Sequence, residues 1–285
     1  MKKNVEIDFS EIKPIKYPPV KYTFDNENFV RFPNYLIKTD TNETFGIHRV
    51  ILTVYFLIDW NSCSFEDKSY LLISDVFEAH NLKMTRHKPT IFYEIIKCLV
   101  FLSQSNMIEI ISDFDIDKLS YTTPIIMRIF RDNFDATKKF TKLTYREFNF
   151  IITNKHKANK ENLLAIFLYV KSFIFTLSDE DDFGRKPPEA FFESIDNIKK
   201  TLGISKRTID NCLDVLTSYN AITPPLLMKH DVGSIFDSKT QKPKNVPNIY
   251  VLNKAGYQHE INLTLENLKQ KYKVEKFFKK SGNYN

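Results

Sequence analysis

The stretch from Ser194 to Ile222, SIDNIKKTLGISKRTIDNCLDVLTSYNAI, constrains the fold of this chain more than any other feature of its sequence. Its apolar residues recur every three or four positions, which predicts two short amphipathic helices with one buried side each. Gly203 lies where the first helix must end, because glycine accepts the left-handed backbone conformation of a helix C-cap. Ser205 then stands at the N-cap position of the second helix. We therefore predict a helix-turn-helix that leads into a strand.

The solvent side of that second helix begins with cationic and amide side chains. Such side chains match the major groove of DNA, which offers phosphates and hydrogen-bonding base edges. The alternative is an ordinary helical hairpin with solvated charges. On the first interpretation we expect the DNA contacts of this helix to be Lys206, Arg207, Thr208 and Asn211.

Both halves of the chain show the same predicted order of elements, three helices followed by two strands, which is the order of a winged helix. We expect an α+β protein, mainly α with small β wings, made of two tandem winged-helix domains and a C-terminal helix. In the first half the helices are predicted at 45–60, 74–81 (with Ser74 as N-cap) and 89–102, and the strands at 107–111 and 125–130. In the second half the helices are predicted at 161–177, 189–202 and 206–219, and the strands at 222–229 and 248–252.

Proline and charge mark the two ends of the chain. An extended arm is predicted at the N-terminus, because Pro14, Pro18 and Pro19 are incompatible with a helix. A basic amphipathic helix is predicted over 262–280, docked on its own domain or on a partner. The predicted divisions are an N-terminal arm at 1–30, a first winged-helix domain at 31–140, a second at 141–258, and a basic C-terminal helix and tail at 259–285.

Two further basic loops extend the predicted DNA contacts. The loop between the last two strands of the second domain is basic and contains Gly233 and Pro243, so we expect a mobile wing that contacts phosphates. In the first domain the turn before the third helix is basic, whereas the wing is acidic and is expected to avoid phosphate. The wing contacts are predicted to be Lys239, Lys242 and Lys244, and the turn contacts Arg86, His87 and Lys88.

Composition places the chain among globular proteins. Of its 285 residues, 42% are hydrophobic and 27% are charged, and the net charge at pH 7 is +6. The cations cluster within 138–160, where seven Lys or Arg stand against Glu147, a pattern compatible with nucleic acid. The three cysteines show neither a disulfide framework nor zinc spacing. With no signal sequence and no membrane-spanning stretch visible, we expect a cytoplasmic protein without membrane contact.

The sequence offers no recognisable catalytic or cofactor site. Six glycines are too scattered for a phosphate-binding loop, and the six histidines form no metal-binding pair. Asp113, Asp115 and Asp117 alternate as on one face of a strand and could hold a divalent cation. As a calcium loop they lack the required glycine, where Lys118 stands, and the bidentate glutamate, where Pro124 stands. We expect a solvated acidic wing tip, with no metal, no cofactor and no catalysis.

Two segments resemble a known group of proteins. FVRFPNYLI begins at residue 29, and ISKRTIDNCLDVLTSYNAI lies in the second predicted domain. Together with the tandem winged helices they resemble plasmid replication initiators and phage replisome organisers of low-GC Gram-positive bacteria, over roughly residues 29–252. The resemblance implies binding to origin DNA, often at repeated sites, and recruitment of a host helicase or helicase loader. Only a short basic helix follows the second domain, in place of the C-terminal partner-binding domain of fuller members, so the resemblance supports DNA binding more directly than helicase recruitment.

Two other functions stay open at this point. Winged helices also serve transcriptional repressors of mobile elements, because function does not follow from fold. The acidic runs at 113–117 and 179–182 favour a non-catalytic interaction adaptor, of the helicase-loader type, within a replisome. No long heptad pattern is present, so we expect a monomer or weak homodimer that assembles on DNA.

Overall fold

Helices and small antiparallel sheets alternate along the chain in an α+β arrangement that contains more helix than strand. The computed structural model describes residues 29–62, 68–85, 87–113, 115–130, 140–153, 158–174, 189–218, 224–237 and 242–278. The helices are α1 (Asn34–Ile37), α2 (Thr41–Phe45), α3 (Ile51–Trp60), α4 (Ile73–Ala79), α5 (Thr90–Gln104), α6 (Tyr145–Thr153), α7 (Lys160–Ile174), α8 (Ile195–Leu202), α9 (Lys206–Thr217) and α10 (Tyr257–Tyr272). The strands are β1 (Phe29–Pro33), β2 (Lys68–Leu71), β3 (Ile108–Ile110), β4 (Ile125–Ile129), β5 (Phe140–Thr144), β6 (Leu227–His230), β7 (Ser234–Asp237), β8 (Lys242–Asn245) and β9 (Ile249–Leu252). Across these ranges, no helix combines the length and the apolar character that a bilayer crossing requires.

In the N-terminal unit (residues 29–130), α3, α4 and α5 accompany a three-stranded antiparallel sheet in the order β2-β4-β3. β4 is the central strand, with Leu71 opposite Ile125 on one side and Ile108 opposite Ile129 on the other. All four side chains are buried, so this face of the sheet lies on the core. The predicted pairing of the two later strands is confirmed, whereas β2 was not predicted.

The C-terminal unit (residues 140–252) has a similar order of helices and paired segments. After α7, Phe191 forms an isolated antiparallel bridge with Tyr250 in β9, and α8 and α9 follow. β9 then pairs on its other edge with β6, as predicted, with Leu227 opposite Leu252. The last strand of each unit is therefore central. β4 lies between β2, which precedes α4, and β3, which follows α5; β9 lies between Phe191, which precedes α8, and β6, which follows α9.

The two units share one hydrophobic core, which extends from Val30 to Tyr250. Its central helices are α3 and α7, on which most side chains are buried, as expected of helices that are largely apolar around their circumference. β1 from the first unit pairs antiparallel with β5 from the second, and each of these strands leads directly into a short helix. The predicted division near residue 140 stays a prediction, since a shared core is compatible with one folding unit or two.

The C-terminal helix α10 docks on its own unit, one of the two predicted alternatives. Ile261 and Leu268 are buried in a second core with Val232, Val246 and Val251. The helix ends at Tyr272, earlier than predicted, because Lys273 adopts a left-handed backbone conformation (φ 54°). The chain then continues to Phe278, whose backbone N–H donates to the carbonyl of Ser234 at 2.9 Å and whose carbonyl accepts from the Ser234 N–H at 2.8 Å.

Several predicted elements differ in extent. The helix expected at 45–60 is divided, because Gly46 ends α2 with φ 63° and α3 begins at Ile51. Ser74 is not an N-cap: Leu72 holds that position, and the N–H of Ser74 donates to the carbonyl of Tyr121 at 2.8 Å. The helix expected from 189 begins only at Ile195, since the backbone of Phe191 is engaged with Tyr250. The wing expected as a mobile loop contains the hairpin β7–β8.

Candidate nucleic-acid interface

The turn between α8 and α9 is held by the caps that the sequence predicts. At the other end of α8, the Ser194 hydroxyl forms a cap that was not predicted, by accepting from the N–H of Asn197 at 3.2 Å. Gly203 ends α8 in the left-handed conformation, with φ 62°. The Ser205 hydroxyl accepts from the N–H of Thr208 at 3.3 Å and so begins α9. The caps at Gly203 and Ser205 are complete within a few residues, so this turn could be predicted from the sequence.

One side of α9 is buried and the other carries its polar residues. Lys206, Arg207 and Asn211 are exposed, whereas Thr208 is half-buried and its hydroxyl lies 2.8 Å from that of Ser205. The buried side consists of Ile209, Cys212, Leu213, Val215 and Leu216. Three of the four residues predicted to contact DNA on this helix are therefore available to a ligand, and the fourth supports the cap.

Charge is distributed unevenly along the exposed side of α9. The two cations, Lys206 and Arg207, occupy the first turn, and the carboxylates of Asp210 and Asp214 follow further along. The N-terminal end of a helix carries partial positive charge, so cations there are unfavourable by about 0.3–1 kcal/mol each. No acidic residue in the first turn offsets them. A bound anion would interact favourably both with the two cations and with the partial positive charge at this end of the helix.

The hairpin of the C-terminal unit carries two of the three predicted wing lysines. Lys242 and Lys244 are exposed on β8, opposite Asp237 and Ile235 of β7. Lys239 lies outside the described residues. The hairpin continues from the same unit as α9, so these lysines and the first turn of α9 belong to one structural unit.

The predicted contacts of the N-terminal unit are less available. His87 is exposed, and Arg86 lies outside the described residues. The Lys88 ammonium donates to the carbonyl of Ile116 at 3.3 Å and lies 4.9 Å from the centroid of the Phe92 ring. Lys88 therefore ties the turn to the wing of its own unit, a role that its position in a basic turn did not indicate.

The helix α5, which occupies in the N-terminal unit the place that α9 has in the other, presents a different surface. Tyr93 and Val100 are exposed on it. Its exposed cation, Lys97, forms an ion pair of 2.9 Å with Glu94. The exposed surface of α5 is thus more apolar than that of α9 and carries no concentration of cations.

One contact between the units, at the turn itself, was not predicted from the sequence. The guanidinium of Arg49, between α2 and α3, donates to the carbonyl of Leu202 and, at 3.1 Å, to the side-chain oxygen of Asn162. It also lies 3.8 Å from the carboxylate of Asp40, which packs so closely on Gly203 that a Cβ there would overlap it. The Arg49 side chain is only 17% exposed, and burial lowers its pKa, against the opposing effect of Asp40 and Glu161.

Two histidines lie near this contact and serve the fold. His48 Nδ1 lies 3.4 Å from the carboxylate of Glu161 on α7. His80 Nε2 lies 2.9 Å from the hydroxyl of Thr53 on α3. Burial, followed by the charges of Lys160 and His48, lowers the pKa of His80 to about 4, so this side chain is neutral at pH 7.

The acidic wing of the N-terminal unit is solvated. The Asp115 carboxylate accepts from the N–H of Asp117 at 3.1 Å and pairs with Lys118 at 2.9 Å, while Asp113 and Asp117 are exposed. Interaction with Lys118 lowers the pKa of Asp115. Within the part of the chain that the structure describes, no three His, Cys, Asp or Glu side chains are arranged to hold a metal ion.

A cleft of about 580 Å³ opens between α1–α2 and α7–α8. The Tyr169 hydroxyl donates to Glu193 there at 2.8 Å, and burial raises the pKa of this tyrosine. Cations and carboxylates are mixed along its walls, so the lining does not select a ligand class. The charged lining residues are Lys38, Asp40, Glu43, Glu193 and Lys200.

No protein-family model matches this chain, and no curated protein matches it significantly.

Proposed function

We propose that this protein is a sequence-specific, non-catalytic double-stranded DNA-binding protein of the replication-initiator kind, built from two winged helices. The shared order of elements in the two units supports the winged-helix assignment. In each unit the last strand lies centrally, between the segment that precedes α4 or α8 and the strand that follows α5 or α9. The free, buried thiols of Cys98 and Cys212 suit the reducing cytoplasm in which such a protein acts.

The main support for this proposal is the set of side chains in the first turn of α9. Lys206 and Arg207 are exposed at a helix end where cations are unfavourable for folding, and Asn211 follows one turn later on the same side. Arginine and asparagine form bidentate hydrogen bonds with guanine and adenine in the major groove. Lys242 and Lys244 on the hairpin would add contacts to the phosphate backbone, which position the protein without reading sequence.

Binding to a duplex selected from random sequences tests the proposal. Replacing Arg207 or Asn211 by alanine should weaken binding by about 1–3 kcal/mol, or about 5- to 150-fold, at fixed salt. Lys271, an exposed lysine on α10, provides the matched control, and K271Q should bind like wild type. Wild-type affinity in both R207A and N211A would refute the assignment of α9 as the reading helix.

Initiation and repression are separated by plasmid maintenance. An initiator should bind an origin and support replication of a minimal plasmid together with the host helicase or helicase loader. A transcriptional repressor of a mobile element should instead bind its own promoter and leave the plasmid unmaintained. Maintenance that is lost in R207A and kept in K271Q supports the initiator.

The surface of α5 favours a second candidate function, that of a non-catalytic adaptor within a replisome. Exposed Tyr93 and Val100 beside a neutralised Lys97 suit a protein partner better than DNA phosphates. Salt dependence separates the two functions, since phosphate-dominated affinity falls steeply with salt. Capture of the purified helicase loader with little salt dependence, and without duplex binding, would favour the adaptor.

We further propose that the free protein is a monomer that assembles on repeated DNA sites. The apolar side of α10 is already used by Ile261 and Leu268, so a dimer through this helix would have to open the second core. Sedimentation of the full chain over a range of concentrations tests this state. A stable dimer at the lowest concentration would contradict it.

A further inference from the structure

The ribbon formed by β1 and β5 has one buried and one exposed face. Val30, Phe32 and Leu143 point into the core, and Thr141 is buried beside them. The opposite face carries aromatic and cationic side chains, with the rings half-buried and the cations exposed. The residues of this outer face are Phe29, Arg31, Phe140 and Lys142.

Two cations lie directly opposite each other at the centre of this face. In the antiparallel register Phe29 is opposite Thr144, Arg31 is opposite Lys142, and Pro33 is opposite Phe140. Like charges in directly opposed positions of a strand pair destabilise the sheet. No salt bridge within the described ranges joins either cation to a carboxylate, so the ribbon alone does not balance this charge.

The neighbouring rings orient the two cations without neutralising them. The Arg31 guanidinium carbon lies 5.2 Å from the centroid of the Phe140 ring and 5.9 Å from that of Phe29. The Lys142 ammonium lies 4.5 Å from the Phe29 centroid. Such contacts hold a cation by the quadrupole of the ring, which leaves its net charge available to an anion.

We propose that the outer face of the β1–β5 ribbon is a second DNA-binding surface, on which Arg31 and Lys142 contact backbone phosphates. The inference rests on the proposed function in taking DNA as the anion. A phosphodiester between the two side chains would replace their mutual repulsion by two charge-assisted hydrogen bonds. Because phosphate contacts carry no sequence information, this surface adds affinity and not specificity.

Salt dependence of duplex binding tests the ribbon. The variants are Arg31→Gln, Lys142→Gln and both together, with K271Q as control. Each lost phosphate contact should reduce the slope of log affinity against log salt by about 0.9. Between about 50 and about 200 mM salt, the double variant should therefore lose about 12-fold less affinity than wild type. The loss at low salt should be the same on the selected duplex and on a scrambled one.

One further variant and one stability measurement distinguish a binding role from a structural one. Lys142→Arg keeps the charge, so its slope of log affinity against log salt should equal that of wild type. The melting temperature of each single glutamine variant should equal or exceed that of wild type, since a repulsion is removed. A lower melting temperature in both, or an unchanged slope in the double variant, would overturn the ribbon proposal.

The outcomes separate this inference from the function on which it rests. Normal binding by the ribbon variants, beside weak binding by R207A, refutes the ribbon and leaves the reading helix in place. The reverse pattern refutes the reading helix and keeps the ribbon. Absence of any duplex binding by wild type at low salt refutes both.

Discussion

At the scale of single residues, several cations of this protein lie where they do not favour folding. Lys206 and Arg207 occupy the positive end of α9, and Arg31 opposes Lys142 across a strand pair. A buried cation of the same chain is neutralised. Lys171, with 4% of its side chain exposed, lies 2.6 Å from a carboxylate oxygen of Glu147. The unfavourable positions thus coincide with the surfaces proposed to bind an anion.

Lys206→Glu should separate stability from binding. A carboxylate in the first turn of α9 interacts favourably with the helix dipole, so the free energy of unfolding should rise by about 0.3–1 kcal/mol. Duplex binding should fall, because a phosphate partner is replaced by a like charge. Urea unfolding and binding at fixed salt measure the two effects. A variant that is less stable than wild type would contradict the unfavourable placement of Lys206.

His80 should make stability depend on pH in the acid range. Its pKa is lowered from 6.5 to about 4 in the folded protein, so its contribution is complete above about pH 6.5 and is lost as the pH falls towards 4. The difference is on the order of 3 kcal/mol. Asp75 acts in the opposite sense, because burial raises its pKa to about 6 and protonation then favours the fold as the pH falls.

The effect of His80 is therefore measured as a difference between variants. Urea unfolding of wild type and of His80→Gln, at pH 7 and pH 4.5, cancels the contribution of Asp75. Wild type should lose more stability than the variant on acidification. Equal losses would show that His80 is not held neutral by its surroundings.

At the scale of elements, the turn between α8 and α9 is held from outside as well as by its own caps. Arg49 and Asp40, which both precede α3, contact Leu202 and Gly203 at the end of α8. The start of α6 is fixed in a comparable way: Glu147 accepts from the N–H of Thr144 at 2.9 Å while also pairing with Lys171 on α7. Capping residues thus connect neighbouring elements.

Gly203→Ala and Asp40→Ala should be non-additive. Alanine at position 203 meets the left-handed backbone penalty of about 1–2 kcal/mol and also overlaps the Asp40 carboxylate. Asp40→Ala removes the N-cap of α2 and the ion pair with Arg49, and so lowers the free energy of unfolding. In the double variant the overlap is absent, so the combined loss of unfolding free energy should be smaller than the sum of the two single losses. Additive losses would contradict a tight contact at the turn.

At the scale of the whole molecule, the two units are joined by buried surface and not by a linker alone. The core passes through the β1–β5 ribbon, α3 and α7 without interruption. Trp60 from the first unit stacks on Tyr145 from the second, with ring centroids 4.9 Å apart. The two units are therefore held in one relative orientation.

Unfolding should be cooperative across both units. Trp60 is the only tryptophan of the sequence and reports on the junction, while the thiol of Cys212, whose pKa is raised by burial to about 11, reports on α9 in a chain whose Cys63 and Cys98 are replaced by alanine. Fluorescence and thiol labelling in urea should give one common midpoint, as expected for a two-state transition. Phe32 is fully buried in β1. Phe32→Ala should lower the fluorescence midpoint and the labelling midpoint by the same amount, and should reduce the free energy of unfolding by about 3–5 kcal/mol. Separate midpoints would indicate two independent domains, as divided near residue 140.

Elements whose signals are local could be predicted from the sequence. The turn at Gly203, the cap at Ser205, the helix that follows Pro89 and the hairpin-like pairs of strands were all predicted, because a cap or an alternation is complete within a few residues. The exposed side of α9, with Lys206, Arg207 and Asn211, followed from the same periodicity. The α+β class was predicted for the same reason.

Contacts between residues far apart in the sequence became visible in the folded chain alone. β2 and the bridge at Phe191 are too short for their own propensity to specify them, and they form because β4 and β9 offer partners. The donation from Arg49 to Leu202 joins residues 153 positions apart, and no local pattern marks either one. The opposition of Arg31 and Lys142 likewise exists only because β1 and β5 pair. Loop closure over such distances is stabilised by the whole core, so it cannot be deduced from a short window of sequence.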